Sequence, residues 1–198
     1  WTITTVVFLL MRATPGDPID ALLGPRALPE AKADMRAKLG LDQSLFHQYT
    51  DYIGQLFHFD LGSSLGSQGQ TVWEIIGAHF PATVELTLCG MLIAAAVGLT
   101  VGSIAASRPN TVFDAGGRLF GIVTYAVPMY WFGMILQLIF AVQLNWFPIG
   151  TRFPLSQIPP AGPTGLYLLD SLLNGNLAQF GTTLYYLALP SLTLGILL

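Results

Sequence analysis

The sequence predicts an all-α protein, a polytopic transmembrane helical bundle with short helices in an outer region. Three observations carry that reading. The 198 residues are 53% hydrophobic and 10% charged, where soluble domains carry about 25% charged residues. Mean hydropathy is +0.59. Residues 86–107 run for 22 positions without a charged side chain. At about 1.5 Å per residue that run can cross a hydrocarbon core about 30 Å thick.

Composition also narrows the function. The net charge of −3 gives no sign of a nucleic-acid partner. The single cysteine, Cys89, falls within the apolar run, so no disulfide framework and no paired-cysteine metal motif is expected. His47, His58 and His79 share no metal-ligand spacing and read as surface or interfacial residues. No nucleophile triad, phosphate loop or paired intramembrane carboxylates are visible, so no catalytic residues and no metal site are predicted.

In chain order, residues 1–12 read as the end of a first span. The apolar stretch 1–11 is too short to cross alone and lacks the basic start and cleavage site of a signal peptide. Arg12 suits an interface, where long basic side chains snorkel. With residue 198 also inside an apolar run, the simplest expectation is a piece that begins and ends within spans.

Residues 13–80 form an external region. Pro15, Gly16 and Pro18 predict a turn. Pro29 and Gly40 bracket a short helix over 29–39. Asp42 is a plausible N-cap for 43–59, where Leu45, Phe46, Tyr49, Tyr52, Ile53, Leu56 and Phe57 recur at helical spacing. That aromatic face either lies at a membrane interface or forms the core of a small soluble subdomain. Residues 60–70 are a Gly/Ser loop. Thr71 and Glu74 fit a capping box that opens a short helix ending near Phe80.

Pro81 then starts the span 81–107 at its first turn. Within it Gly90, Ala94, Gly98, Gly102 and Ala106 repeat every four residues. Small residues let helices approach closely in lipid, so the stripe predicts a helix-packing seam. The loop 108–118 carries Arg108 and Arg118 against Asp114, which places it on the cytoplasmic side. The next span is 119–146. Pro128 interrupts it by removing the amide that would reach the Thr124 carbonyl, which predicts a kink that the Thr124 hydroxyl partly re-satisfies. Residues 147–183 form an external loop, irregular over 147–163 where five prolines fall. A short helix is expected over 164–174 with Gly175 as its stop. Residues 184–198 begin a further span, interrupted early by Pro190.

Intramembrane polar residues are the candidates for a substrate pathway: Glu85, Thr124, Tyr125, Tyr130 and Gln137. Each has a plainer reading. Glu85, four residues into a helix starting at Pro81, can touch water and favour the positive helix end. Tyr130 is a packing aromatic. Gln137 lies deep and predicts an interhelical hydrogen bond. On these residues alone, transport and a structural scaffold both fit.

Six segments add to this. They are RATPGDPIDALL at 12–23, LGLDQSLFHQYTDYIGQLFHFDLGSSL at 39–65, PATVEL at 81–86, VPMYWFG at 127–133, NWFPIGTR at 145–152 and LPSLTLG at 189–195. In order and spacing they resemble the first-type permease subunits of bacterial dipeptide, oligopeptide and nickel ATP-binding-cassette importers, the inner-membrane component of binding-protein-dependent transport. Phe59 departs from the pattern, standing where the family usually has glycine.

The resemblance implies a six-span permease in the bacterial inner membrane with both ends in the cytoplasm. The chain would cover the end of span one, spans two and three and the start of span four, leaving the ATPase-docking loop beyond residue 198. It implies as partners a second homologous permease, two ATP-binding-cassette ATPase subunits and an external solute-binding protein. ATP and magnesium would then sit on the ATPases, with no cofactor in this chain and no enzymatic activity of its own. Peptide is the expected substrate; nickel and glutathione importers share the motifs. A non-transporting membrane scaffold or assembly protein is the alternative of another class.

Overall fold

A computed structural model describes residues 1–14, 16–24, 26–64 and 69–198 of the chain. Pro15 of the expected turn and the middle of the Gly/Ser loop, 65–68, lie outside the described residues. About 70% of the chain is helical, with no strand among the described residues. Two compact units, Trp1–Gly77 and Ala78–Leu198, each have their own packing.

In the first unit, the apolar α1 (Thr2–Ala13) buries Phe8. The Phe8 ring meets Tyr49 edge-on at 5.3 Å and stacks on Tyr52 at 5.6 Å, both from α4 (Leu45–Phe57). Thr5 and Tyr49 share a hydroxyl hydrogen bond of 2.8 Å, and Arg12 Nε donates to Gln48 Oε1 at 2.7 Å. The aromatic set of α4 is therefore divided. Tyr49 and Tyr52 pack inward, while Leu45, Phe46 and Phe57 stay exposed. The N-cap is Ser44, two residues after the expected Asp42, and its hydroxyl accepts from the His47 amide.

Between them lie α2 (Pro18–Leu23) and α3 (Pro29–Lys38). The sequence reads as a simple turn at α2, but Asp17 caps it by accepting from the Ile19 amide, with Pro18 in the first turn. Ile19 is fully buried, and the ion pairs Lys32–Asp20 and Arg36–Asp17 tie the two helices together. Gly40, at φ +63°, closes α3 with bonds from its own amide to Ala37 and from Leu41 to Arg36, as a Schellman ending requires.

The capping box forms as expected: the Thr71 amide donates to Glu74 Oε2 at 2.8 Å, and Thr71 Oγ1 accepts from the Glu74 amide. The helix it opens corrects the sequence reading. There is no break at Phe80, and Pro81 starts nothing. A single helix, α5, runs Val72–Ser107 for 36 residues with Pro81 inside it. Proline costs one backbone bond, to the Gly77 carbonyl, and the many remaining bonds of so long a helix absorb that loss.

In the second unit, α6 (Val112–Ala126) and α7 (Met129–Leu136) are not a kinked rod. The chain leaves helical geometry at Val127 and Pro128, and the two limbs meet at 101°. Pro128 becomes the N-cap of α7. The Thr124 hydroxyl bonds one turn back, to Phe120 and Gly121, and does not reach its own carbonyl. After Leu136 the helix widens into a π-helical segment, Gln137–Gln143. A short α8 (Tyr167–Leu173) ends at Gly175. The last helix, α9, runs Leu177–Leu197 straight through Pro190 from an Asn176 cap, so the expected interruption is absent.

By length and composition α5 and α9 can each cross a membrane, and the bent pair makes a third if it counts as one span. α5 and α9 cross at glycine. A Cβ on Gly195 would stand 2.6 Å from Ile93 and 2.7 Å from the Gly90 carbonyl oxygen, and one on Gly90 would stand 2.6 Å from Leu194. Only residues without side chains allow so close an approach. Of the predicted seam this chain uses Gly90 alone. Gly98 and Gly102 face open space, Ala94 is half-buried and Ala106 is exposed. Gly117 of α6 packs instead on Ala105 and Val101, off the seam.

Candidate functional site

The second unit encloses a groove of about 610 Å³ between α5, α7 with its π-helical extension, the loop 148–152 and α9. One wall follows helical spacing on a single element: Tyr130, Gly133, Met134 and Gln137 lie at i, i+3, i+4 and i+7. Gly133 keeps this wall low, because a Cβ there would press on Thr193 of α9 at 3.2 Å. The opposite side is Leu86, Tyr186, Leu189 and Leu194, and Arg152 closes one end.

Arg152 is fixed from three directions. Its Nη2 lies 2.7 Å and its Nε 3.2 Å from Glu85 Oε2. Nη2 also donates to the Gly165 carbonyl at 2.8 Å, and the guanidinium carbon sits 3.7 Å from the centre of the Tyr167 ring. Tyr167 is itself held edge-on by the buried Phe153. Glu85 is 3% exposed, and its second oxygen accepts from the Leu168 amide at 2.6 Å. α8 has no side-chain cap of its own at Leu166, so Glu85 fills an orphan amide in its first turn from another helix. Burying this pair costs solvation, which the charge-assisted bonds and the ring contact offset.

Beside it stands a second buried carboxylate. Asp170 has no solvent exposure. Its Oδ1 accepts from the Thr164 hydroxyl at 2.7 Å and the Thr164 amide at 3.3 Å, while Oδ2 has no partner among the described residues. Gly162 packs so tightly on this carboxyl that no side chain fits there.

The structure sorts the sequence candidates. Tyr130 and Gln137 line the groove. Glu85 is not in the lining but is paired with Arg152, which is. It is deep within α5, well past the first turn at Val72, so the reading of a solvated carboxylate at a helix start does not hold. Thr124 and Tyr125 lie on α6 and are not part of the lining, and Tyr125 is 94% exposed. Gln137 makes no interhelical bond among the described residues; its side chain lines the groove instead. Arg152 and Asp170 escaped the sequence reading. Their signal was scarcity: after Arg118 they are the only charged residues.

Among the described residues no His, Cys, Asp or Glu lines the groove, so it offers no imidazole, thiolate or carboxylate to a divalent transition metal. Its polar groups are neutral hydroxyls and an amide, apart from the paired Arg152.

Comparison with known proteins supplies the rest. Residues 1–87 match the family described as binding-protein-dependent transport system membrane component, N-terminal. Over nearly its whole length the chain is also similar to curated permeases. It is 38% identical to the di/tripeptide transport system permease protein DppB of Pseudomonas aeruginosa, across 98% of this chain and 57% of that protein. It belongs to this family of transport-system membrane components. The probable D,D-dipeptide transport system permease protein DdpB of Escherichia coli K12 is 37% identical across 97% of this chain and 56% of its own length. The dipeptide transport system permease protein DppB of Alkalihalophilus pseudofirmus is 33% identical over 97% and 57%. The chain thus spans 56–57% of the length of these relatives. The similarity to these permeases runs over nearly the whole chain, so the likeness is not confined to the stretch that the family model covers.

Proposed function

We propose that the chain is part of the permease subunit of an ATP-driven importer that moves small peptides across the bacterial inner membrane. The observation that carries this is similarity over 97–98% of the chain to permeases named for dipeptides or tripeptides. The groove supports it: roomy, mostly apolar, with neutral polar groups apart from the paired Arg152 and, among the described residues, no carboxylate, imidazole or thiol. That lining argues against nickel as cargo.

In this reading the subunit works in a multi-pass assembly. A second, homologous permease completes the pathway, two ATPase subunits bind ATP and magnesium, and an external solute-binding protein delivers the peptide. Residues 108–118, which include the first turns of α6, face the cytoplasm; 13–80 and 147–183 face outward. α5, at about 1.5 Å per residue, is about 54 Å long, so its charge-free carboxyl part fills the hydrocarbon and its amino part extends past it. Glu85, one residue before that charge-free run, then marks the outer boundary.

The test is uptake of radiolabelled dipeptide in a strain deleted for the full-length gene, with and without its return on a plasmid. Restoration is expected. Uptake indifferent to the gene, alongside gene-dependent uptake of radioactive nickel, would replace peptide by metal.

A further inference from the structure

We propose that Gln137 reads the peptide bond of the transported solute, an inference that rests on the import reading above. Its carboxamide offers a donor and an acceptor side by side, the same pair a peptide bond presents. It is half-buried, lines the groove and has no hydrogen-bond partner among the described residues. A half-buried polar group with no protein partner costs free energy unless water or a solute occupies it. It also stands at the first residue of the π-helical segment Gln137–Gln143, whose far end is closed by the Leu144 amide on the Ile139 carbonyl. Such turns inside α-helices are frequent at functional sites.

Spacing agrees with a short peptide. Tyr130, on the same face seven residues earlier, presents a hydroxyl that also lacks a partner among the described residues. The rise between the two is about 10 Å along the helix. Extended chain covers that distance in about three residues. Along the wall the two residues therefore stand about one tripeptide length apart. Met134 and Gly133 between them give an apolar, low floor that leaves side chains unread.

The experiment uses the full-length protein in the complete transporter, reconstituted in liposomes. The probes are alanyl-alanine and alanyl-lactate, which has an ester in place of the amide. The readout is the amide-to-ester uptake ratio in wild type and in Gln137→Leu. Comparing ratios between proteins cancels the binding protein's own preference. In an assembled complex the ratio is expected to narrow about fivefold, the worth of one neutral hydrogen bond. Should Gln137→Leu fail to assemble, Gln137→Met, closer in shape, decides the same comparison. An unchanged ratio in an assembled variant overturns the role of Gln137 and leaves the import reading standing. A wild-type complex that imports neither probe overturns the import reading itself.

Discussion

Arg152 and Glu85, 67 residues apart in sequence, meet through two hydrogen bonds to one carboxylate oxygen, at 2.7 and 3.2 Å. Both are largely withdrawn from water, Glu85 the more so: Glu85 is 3% and Arg152 21% exposed. Arg152→Met leaves a buried carboxylate with one amide donor, and Glu85→Leu leaves a guanidinium with one carbonyl. Each single change is expected to cost about 3 kcal/mol, because a buried charge without its partner is worse than no charge. The double variant should recover most of that loss. Denaturation midpoints of the full-length protein in detergent decide it, and simply additive losses would show that the two residues do not act as a pair.

The α5–α9 crossing predicts a sharp contrast among glycines. Gly195→Ala places a methyl against Ile93 and the Gly90 carbonyl and should destabilise the chain by about 1–3 kcal/mol. Gly98→Ala meets nothing in this chain and should leave its stability unchanged or slightly higher, alanine being the better helix former. Gly98→Leu separates the chain from the complex. If another subunit packs on the stripe, complex yield or uptake falls although the protein itself folds. Normal yield and uptake would mean that no subunit uses the stripe.

Phe59 adopts φ +57°, a left-handed conformation that ordinary side chains avoid. Its carbonyl accepts from the Trp73 indole at 2.6 Å, which holds it there. This is the position where the resemblance leads one to expect glycine. Phe59→Gly is therefore expected to be neutral or stabilising by up to about 1 kcal/mol, strain relief outweighing the entropy of a freer unfolded chain. Phe59→Ile, branched at Cβ, should cost about 1–2 kcal/mol. Thermal unfolding of the two variants checks the order.

Asp170 offers a test of polar satisfaction. Asparagine keeps Oδ1 for Thr164 and replaces only an oxygen that has no partner. Asp170→Asn should stay within about 1 kcal/mol of wild type, whereas Asp170→Ala strands the Thr164 hydroxyl and amide and should cost about 2–3 kcal/mol. Chemical denaturation of the two variants compares them. Equal losses for both would mean that the unpartnered oxygen carries an interaction of its own.

The helical class, the capping box at Thr71, the short helix opened by Pro29 and the irregular loop were legible because each rests on local rules. The errors share a different cause. Pro81 and Pro190 look like boundaries in isolation, yet both lie inside long helices whose remaining backbone bonds absorb the loss. The stripe through Gly90 could be counted from the sequence, but its partner Gly195 could not, since nothing local says which helices cross. The groove was half visible: Tyr130 and Gln137 stand out as polar residues in apolar surroundings. The link from Glu85 to Arg152 depends on a loop folding back over more than sixty residues, and no periodicity encodes that.

At the end of the groove the guanidinium and the carboxylate cancel one another. A lone guanidinium there would favour anions and repel cations; a lone carboxylate would do the reverse. Matched at close range, the two leave only a dipole, whose field fades much faster with distance than that of a charge. The pair itself therefore adds little preference among solutes carrying a negative, zero or positive charge. On the proposed import reading, a pair matched in this way suits molecules that differ in side-chain charge but share one backbone.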